Sequence, residues 1–110
     1  MGANQFHVTA QGADAADAFG MAVRNAAAES GTSYSGTISA KDTFKVFTRP
    51  QGPASIAEII WTIEASFKVD GARPAWVTDL LLDTYDDKWG PAVAMQDTDG
   101  TWHFFGYASS

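Results

Sequence analysis

The stretch Trp102-His103-Phe104-Phe105-Gly106-Tyr107 restricts the fold of this chain more than any other. Its aromatic content predicts a strand over 101–108. A strand sends successive side chains to opposite faces, so Trp102 and Phe104 point one way and His103, Phe105 and Tyr107 the other. Each aromatic side chain removes roughly 150–250 Å² from water when buried. Such a strand is either covered on both faces or rests against another molecule.

The rest of the chain supplies the cover. Phe6, Val8 and Ala10 alternate with Gln5, His7, Thr9 and Gln11, which predicts a half-buried strand over 5–11. Asp14 can cap a helix over 14–30, with Phe19, Ala22, Val23, Ala26 and Ala27 on its inner face and Gly31 placed to end it. Two short strands follow, over 34–39 and 43–48, around a turn or break at Ser39-Ala40-Lys41-Asp42. Beyond the loop Arg49-Pro50-Gln51-Gly52-Pro53, Ser55 and Glu58 form a capping box. Ile56, Ile59, Ile60, Ile63 and Phe67 make the clearest helical stripe in the chain. Pro74 opens a further helix that turns Trp76, Val77, Leu80, Leu81 and Tyr85 inward. Ala92 to Gln96 reads as a strand, and Asp97-Thr98-Asp99-Gly100 joins it to the last one as a hairpin turn, with Gly100 supplying positive φ.

The order β-α-β-β-α-α-β-β predicts one α+β domain over 1–110, an antiparallel sheet with helices packed on one face. Its first part matches the βαββαβ order of ferredoxin-like folds, here with an added C-terminal strand. The apolar final hairpin makes a homodimer the expected assembly.

A chain of 110 residues, 45% hydrophobic, can bury one core without covalent staples. It has no cysteine, which excludes disulfides, thiolate metal sites and cysteine catalysis. A net charge of −6 sets it against gripping nucleic-acid phosphates and leaves a basic partner open. No apolar run reaches the roughly 18 residues that a membrane span needs. The start lacks the regions of a signal peptide, so the cytoplasm is the expected location, the host's if a phage encodes the chain.

Motifs with defined chemistry are largely excluded. Gly31 and Gly36 have phosphate-loop spacing, but Thr37 stands where lysine is needed. There is no G-x-S-x-G, and His7 and His103 each read as ordinary sheet-surface positions. Asp97, Asp99 and Gly100 give only a fragment of a calcium loop, followed by apolar residues, and a hairpin turn explains all three better. No catalytic residue, metal ligand or cofactor is therefore assigned.

Three places retain a functional reading beside a structural one. Ser35, Gly36 and Thr37 with Lys41 combine hydroxyls, an approachable backbone and a cation, a set able to hold an anion or simply to end a strand. Lys88 and Trp89 put a cation beside an aromatic plate, suited to a stacked ring or to anchoring a turn. Asp79, Asp83 and Asp86 share one helix face, where with Asp87 they can dock a basic partner, hold a divalent ion or be solvated.

Tyr34-Ser35-Gly36-Thr37-Ile38 with Lys41, Asp87-Lys88-Trp89-Gly90-Pro91-Ala92, and Phe104-Phe105-Gly106-Tyr107-Ala108-Ser109 together resemble a group of small proteins from phages, prophages and bacteria. Those proteins show Y-S/T-G-T-I-x-x-K, D-K-W-G-P-A and a terminal F-F-G-W/Y-A-S. Here Ser39-Ala40 replaces the Ala-Glu of that pattern, and an extra segment separates the second and third stretches. The resemblance implies a phage-type accessory setting and no mechanism. The expected function is a non-enzymatic binding protein that sequesters a nucleotide or another small anionic ligand of host defence through Ser35, Gly36, Thr37, Lys41, Lys88 and Trp89. Alternatives are an inhibitor that docks on a host protein through Asp79, Asp83 and Asp86, and a metal-dependent enzyme on the same aspartates.

Overall fold

The structure, a computed structural model, describes residues 3–30, 38, 41, 43–49, 55–66, 75–77, 84–85 and 90–109. Its elements are β1 (Ala3–Ala10), α1 (Ala15–Ser30), β2 (Phe44–Val46), α2 (Ile56–Ser66), β3 (Ala92–Gln96) and β4 (Trp102–Ser109). The class is α+β, as the segment order implies. The described strands form a four-stranded sheet in the order β1-β4-β3-β2.

Local chemistry sets most boundaries. The Asp14 carboxylate accepts from Asp17 N at 2.9 Å, and the Asp17 carboxylate accepts in return from Ala13 N at 3.1 Å. These bonds satisfy amides that a helix start leaves without partners. Ser55 Oγ does the same for Glu58 N at 3.1 Å. Between β3 and β4, Gly100 takes φ 89° and donates its N–H to the Asp97 carbonyl at 3.0 Å. The expected strand over 34–39 lies outside the described residues except for Ile38, which is buried in a turn whose carbonyl accepts from Lys41 N. Of the third expected helix, Ala75-Trp76-Val77 and Thr84-Tyr85 are described and helical, with Val77 and Tyr85 fully buried.

The long pairing is antiparallel. β1 lies along the whole of β4, with Ala3 opposite Ser109 and Ala10 opposite Trp102. Two features correct the expectation of an antiparallel sheet with its helices on one face. First, β2 runs parallel to β3, Phe44 beside Ala92 and Val46 beside Ala94. A parallel neighbour requires a crossover, and α2 lies in that connection. Second, the helices divide between the faces. Ala18 and Ala22 of α1 pack with Phe6, Ala92, Ala94, Phe104 and Ala108. Ile56, Ile59, Ile60 and Ile63 of α2 pack with Val93, Met95 and Phe105. The interleaved numbers on β3 and β4 are the strand pleat itself. The ferredoxin-like arrangement, with both helices on one face, is thereby replaced by a sheet between two helical layers. This also answers the demand made by β4: Phe104 and Phe105 are each fully buried, on opposite sides.

Gly106 sits at φ 141°, where a side chain is strained, and an added Cβ would lie 3.4 Å from the Tyr85 carbonyl oxygen and 3.7 Å from the Phe6 ring. Gly106→Ala is expected to cost about 1–3 kcal/mol through that strain, read as a lower midpoint in urea denaturation. An unchanged midpoint would mean that the backbone here relaxes freely.

Candidate functional site

The pairing of β1 with β4 brings polar side chains from the two ends of the chain onto the face that α2 covers only in part. His7 Nε2 and His103 Nδ1 are 2.9 Å apart, and the rings are stacked with centroids 5.2 Å apart. His103 Nε2 lies 3.6 Å from Asp97 Oδ2, while Arg49 Nη1 donates to Asp97 Oδ1 at 2.9 Å. His7, His103, Asp97 and Arg49 thus form one continuous row. His7 is exposed, and the other three are half-buried. Asp97 belongs to the hairpin turn, where its Oδ1 also accepts from Thr98 N at 2.8 Å. The turn that ends β3 therefore also aims this carboxylate.

The electrostatics follow from the packing. Partial burial of His7 lowers its pKa below the ordinary 6.5, and nearby His103 lowers it further. Burial also lowers His103, which Asp97 and Asp99 oppose and Arg49 assists. Both shifts favour the neutral rings. A group whose folded pKa lies below its unfolded value takes up protons preferentially in the unfolded state. Its stabilising contribution is complete above about pH 6.5 and is lost as pH falls through the lowered values. His7→Gln is expected to flatten this acid limb of the stability curve. An acid limb identical to the parent's would exclude the pair as its source. At the turn, hydrogen bonding from Thr101 N holds the Asp99 carboxyl below its usual range.

A second cluster lies deeper on the same face. Tyr85 Oη donates to Glu64 Oε2 at 2.5 Å, Tyr107 Oη donates to the same oxygen at 2.9 Å, and Gln5 Nε2 donates to Tyr85 Oη at 2.8 Å. Burial, then the Glu64 carboxylate, pushes the Tyr85 phenol far above its ordinary range. This cluster ties α2, β1 and β4 together around a fully buried ring.

A cleft of about 280 Å³ adjoins the row at Arg49, lined by Val46, Phe47, Thr48, Arg49, Gln96 and Trp102. It lies at the sheet edge formed by β2, close to the lower end of ligand pockets, about 300–1,000 Å³. Lys45 is exposed, with its Nζ 5.4 Å from the centre of the Phe47 ring. Residues 43–49 contain two cations and no acid, a local reversal of the chain's net charge of −6.

Of the residues singled out from sequence for binding, Lys41 is described. It is 5% exposed, and its Nζ donates to the Gly90 carbonyl at 3.0 Å, joining the segment before β2 to the segment before β3. Ser35, Gly36, Thr37, Lys88 and Trp89, and the acidic set Asp79, Asp83 and Asp86, lie outside the described residues. The row His7–His103–Asp97–Arg49 and the β2 cleft were not legible as sites. The signal that could have pointed to the row was strand parity, which places His7 with Thr9 and Gln11 and His103 with Thr101.

Among the described residues no three histidine, aspartate or glutamate side chains converge as metal ligands. Among them, too, no helix is long and apolar enough to cross a membrane. Comparison with protein-family models, with curated proteins and with solved structures finds no match for this chain.

Proposed function

We propose that this is a small, non-catalytic binding protein of the phage-accessory kind, which takes a ligand with a flat ring and an anionic group in the cleft at β2. A nucleotide signal of host defence is the ligand class that this chemistry suits. The observation that carries the reading is the lining of the cleft. Trp102 offers a stacking plate, Gln96 and Thr48 offer hydrogen bonds to a ring edge, and Arg49 brings a guanidinium that also pairs with Asp97, with exposed Lys45 outside the lining on β2. Aromatic stacking contributes about 1–3 kcal/mol per base, and it tolerates different bases. Lys41 would have to give up its bond to the Gly90 carbonyl to hold a phosphate, so the cleft replaces it as the preferred seat.

Calorimetry against cyclic nucleotides, cyclic dinucleotides and ADP-ribose tests the reading. At least one is expected to bind, with an affinity reduced about 10- to 100-fold in Trp102→Ala, the range that one stacked base implies. No heat from any of them at high micromolar concentration, or binding indifferent to Trp102→Ala, would remove it.

A homodimer is a compatible second reading. Among the described residues β1 stands at an open sheet edge, and its eight residues ANQFHVTA carry no proline, lysine or carboxylate. Edges without such protection invite pairing with an identical strand. Light scattering of the purified chain distinguishes a dimer from a monomer directly, and a monomer at high micromolar concentration would discard this reading.

A further inference from the structure

We propose that His7 and His103 form a chelating site for a divalent transition ion of the copper(II) or nickel(II) type, with Asp97 as the outer carboxylate that orients His103. The site adjoins the cleft through the Arg49–Asp97 pair, but neither histidine lines the cleft, and the proposal does not depend on the function proposed for it.

The geometry starts from the strand register. Thr9 is paired with His103 and Phe105 with His7, so the two histidines are diagonal neighbours on one face of an antiparallel pair. Diagonal neighbours lie within reach of long or aromatic side chains. Their facing nitrogens are 2.9 Å apart. Two nitrogens at that spacing subtend about 90° at an ion about 2.0 Å from each, the angle between adjacent ligands in square-planar or octahedral coordination. A tetrahedral ion wants its ligands further apart, which ranks zinc(II) behind copper(II) and nickel(II). In the metal-free pair the nitrogens face each other across a hydrogen bond, so both rings must turn. The outer torsion of histidine is broad and permits this.

The tautomers are set up by the neighbours. The Asp97 carboxylate, 3.6 Å from His103 Nε2, favours the proton on that nitrogen and leaves the Nδ1 lone pair directed at His7. His7 then donates from Nε2. When an ion enters, the His7 Nε2 proton leaves to water and Nδ1 takes one up, so both ligands remain neutral imidazoles and no net proton is released. His7 Nδ1 has no protein partner among the described residues and His7 is exposed, so this exchange is unobstructed. Imidazole suits copper and nickel, whereas magnesium and calcium select oxygen. Arg49 holds Asp97 from the other side and keeps its carboxylate from swinging in as a third ligand. Water completes the coordination.

The test uses the untagged full chain titrated with copper(II) and, separately, nickel(II) chloride, followed by calorimetry and by visible absorption. One equivalent is expected to bind, to raise Tm, and to give the absorption of a nitrogen-ligated ion. His7→Gln and His103→Gln each remove that binding; His7 is exposed and His103 half-buried, so circular dichroism and an unchanged metal-free Tm establish that each variant is folded. Asp97→Asn weakens it about 10- to 100-fold, the usual effect of losing an outer partner of a metal-bound histidine. Magnesium at the same concentration leaves Tm unmoved. Binding that survives in the double variant His7→Gln/His103→Gln, or the absence of any Tm shift in the parent chain, overturns the proposal. Nucleotide calorimetry on that double variant keeps the two readings apart, because the cleft residues are intact in it.

Discussion

Phe105→Ala is expected to lower stability by about 3–5 kcal/mol, and Phe104→Ala by a similar amount, although the rings are neighbours in sequence and share no partner helix. Both are fully buried in β4. The Phe105 ring faces the α2 layer, with its centroid 6.1 Å from that of Tyr85, whereas the Phe104 ring faces α1, 5.6 Å from Phe19. Truncation removes the transfer free energy of a ring and leaves a cavity that the sheet backbone cannot close from either side. The two losses also differ in coupling. Residues in contact show non-additive effects, and residues on opposite faces do not. A double-mutant cycle of Phe104→Ala with Phe19→Ala should show an interaction energy of about 0.5–1.5 kcal/mol, the range for aromatic pairs. A cycle of Phe105→Ala with Phe19→Ala should be additive within experimental error. Urea denaturation supplies all of these values. Equal coupling in both cycles would mean that the two rings share one core.

Glu64→Leu is expected to cost about 2–4 kcal/mol, more than a half-exposed carboxylate on a helix ordinarily contributes. The reason is the two phenols that it serves. Tyr85 Oη and Tyr107 Oη both donate to Glu64, and Tyr85 is fully buried. Removing the shared carboxylate takes a charged acceptor from a buried hydroxyl, at about 1–3 kcal/mol, and from Tyr107 as well. Glu64→Gln retains an acceptor oxygen and should lose markedly less. The same cluster sets the alkaline limit. The Tyr85 phenol is raised above its ordinary value of 10.0 by burial first and by Glu64 second. A raised folded value means that the unfolded chain loses its proton first as pH climbs. Stability is therefore retained below about pH 10 and declines above it, and Tyr85→Phe removes that part of the decline. Alkaline unfolding of Tyr85→Phe indistinguishable from the parent's would show that other tyrosines or lysines govern it.

Much of the scaffold was legible from sequence because it is decided locally. Asp14, Ser55 and the Asp97–Gly100 turn each satisfy nearby backbone groups, and each sits where the residue types required. The stripe of isoleucines in α2 is buried as its spacing demanded. The sidedness of Phe104 and Phe105 calls for cover on both faces or for another molecule, and it does not choose between them, because helical periodicity states how much apolar surface a helix has and not which face of a sheet receives it. Parallel pairing of β2 with β3 was not legible. Strand direction follows from the path of the connection through α2, which no short segment encodes. The row on the open face was illegible for a related reason. His7 and His103 are separated by 96 positions, and only the register of β1 on β4 makes them neighbours. Taken singly, each is an unremarkable surface histidine. Lys41 shows the converse: its chemistry suggested an anion site, whereas its position commits it to a carbonyl of the chain itself.

Methyl-to-aromatic nuclear Overhauser effects measured on the purified chain test most directly whether one sheet lies between two different helices. Methyl groups of Ile59 and Ile63 should show contacts to Phe105 and Met95, while methyl groups of Ala18 and Ala22 should show contacts to Phe104 and Ala94, with no crossing between the sets. Contacts from both helices to the same ring, Phe104 or Phe105, would place them on one face and contradict the architecture on which the row and the cleft depend.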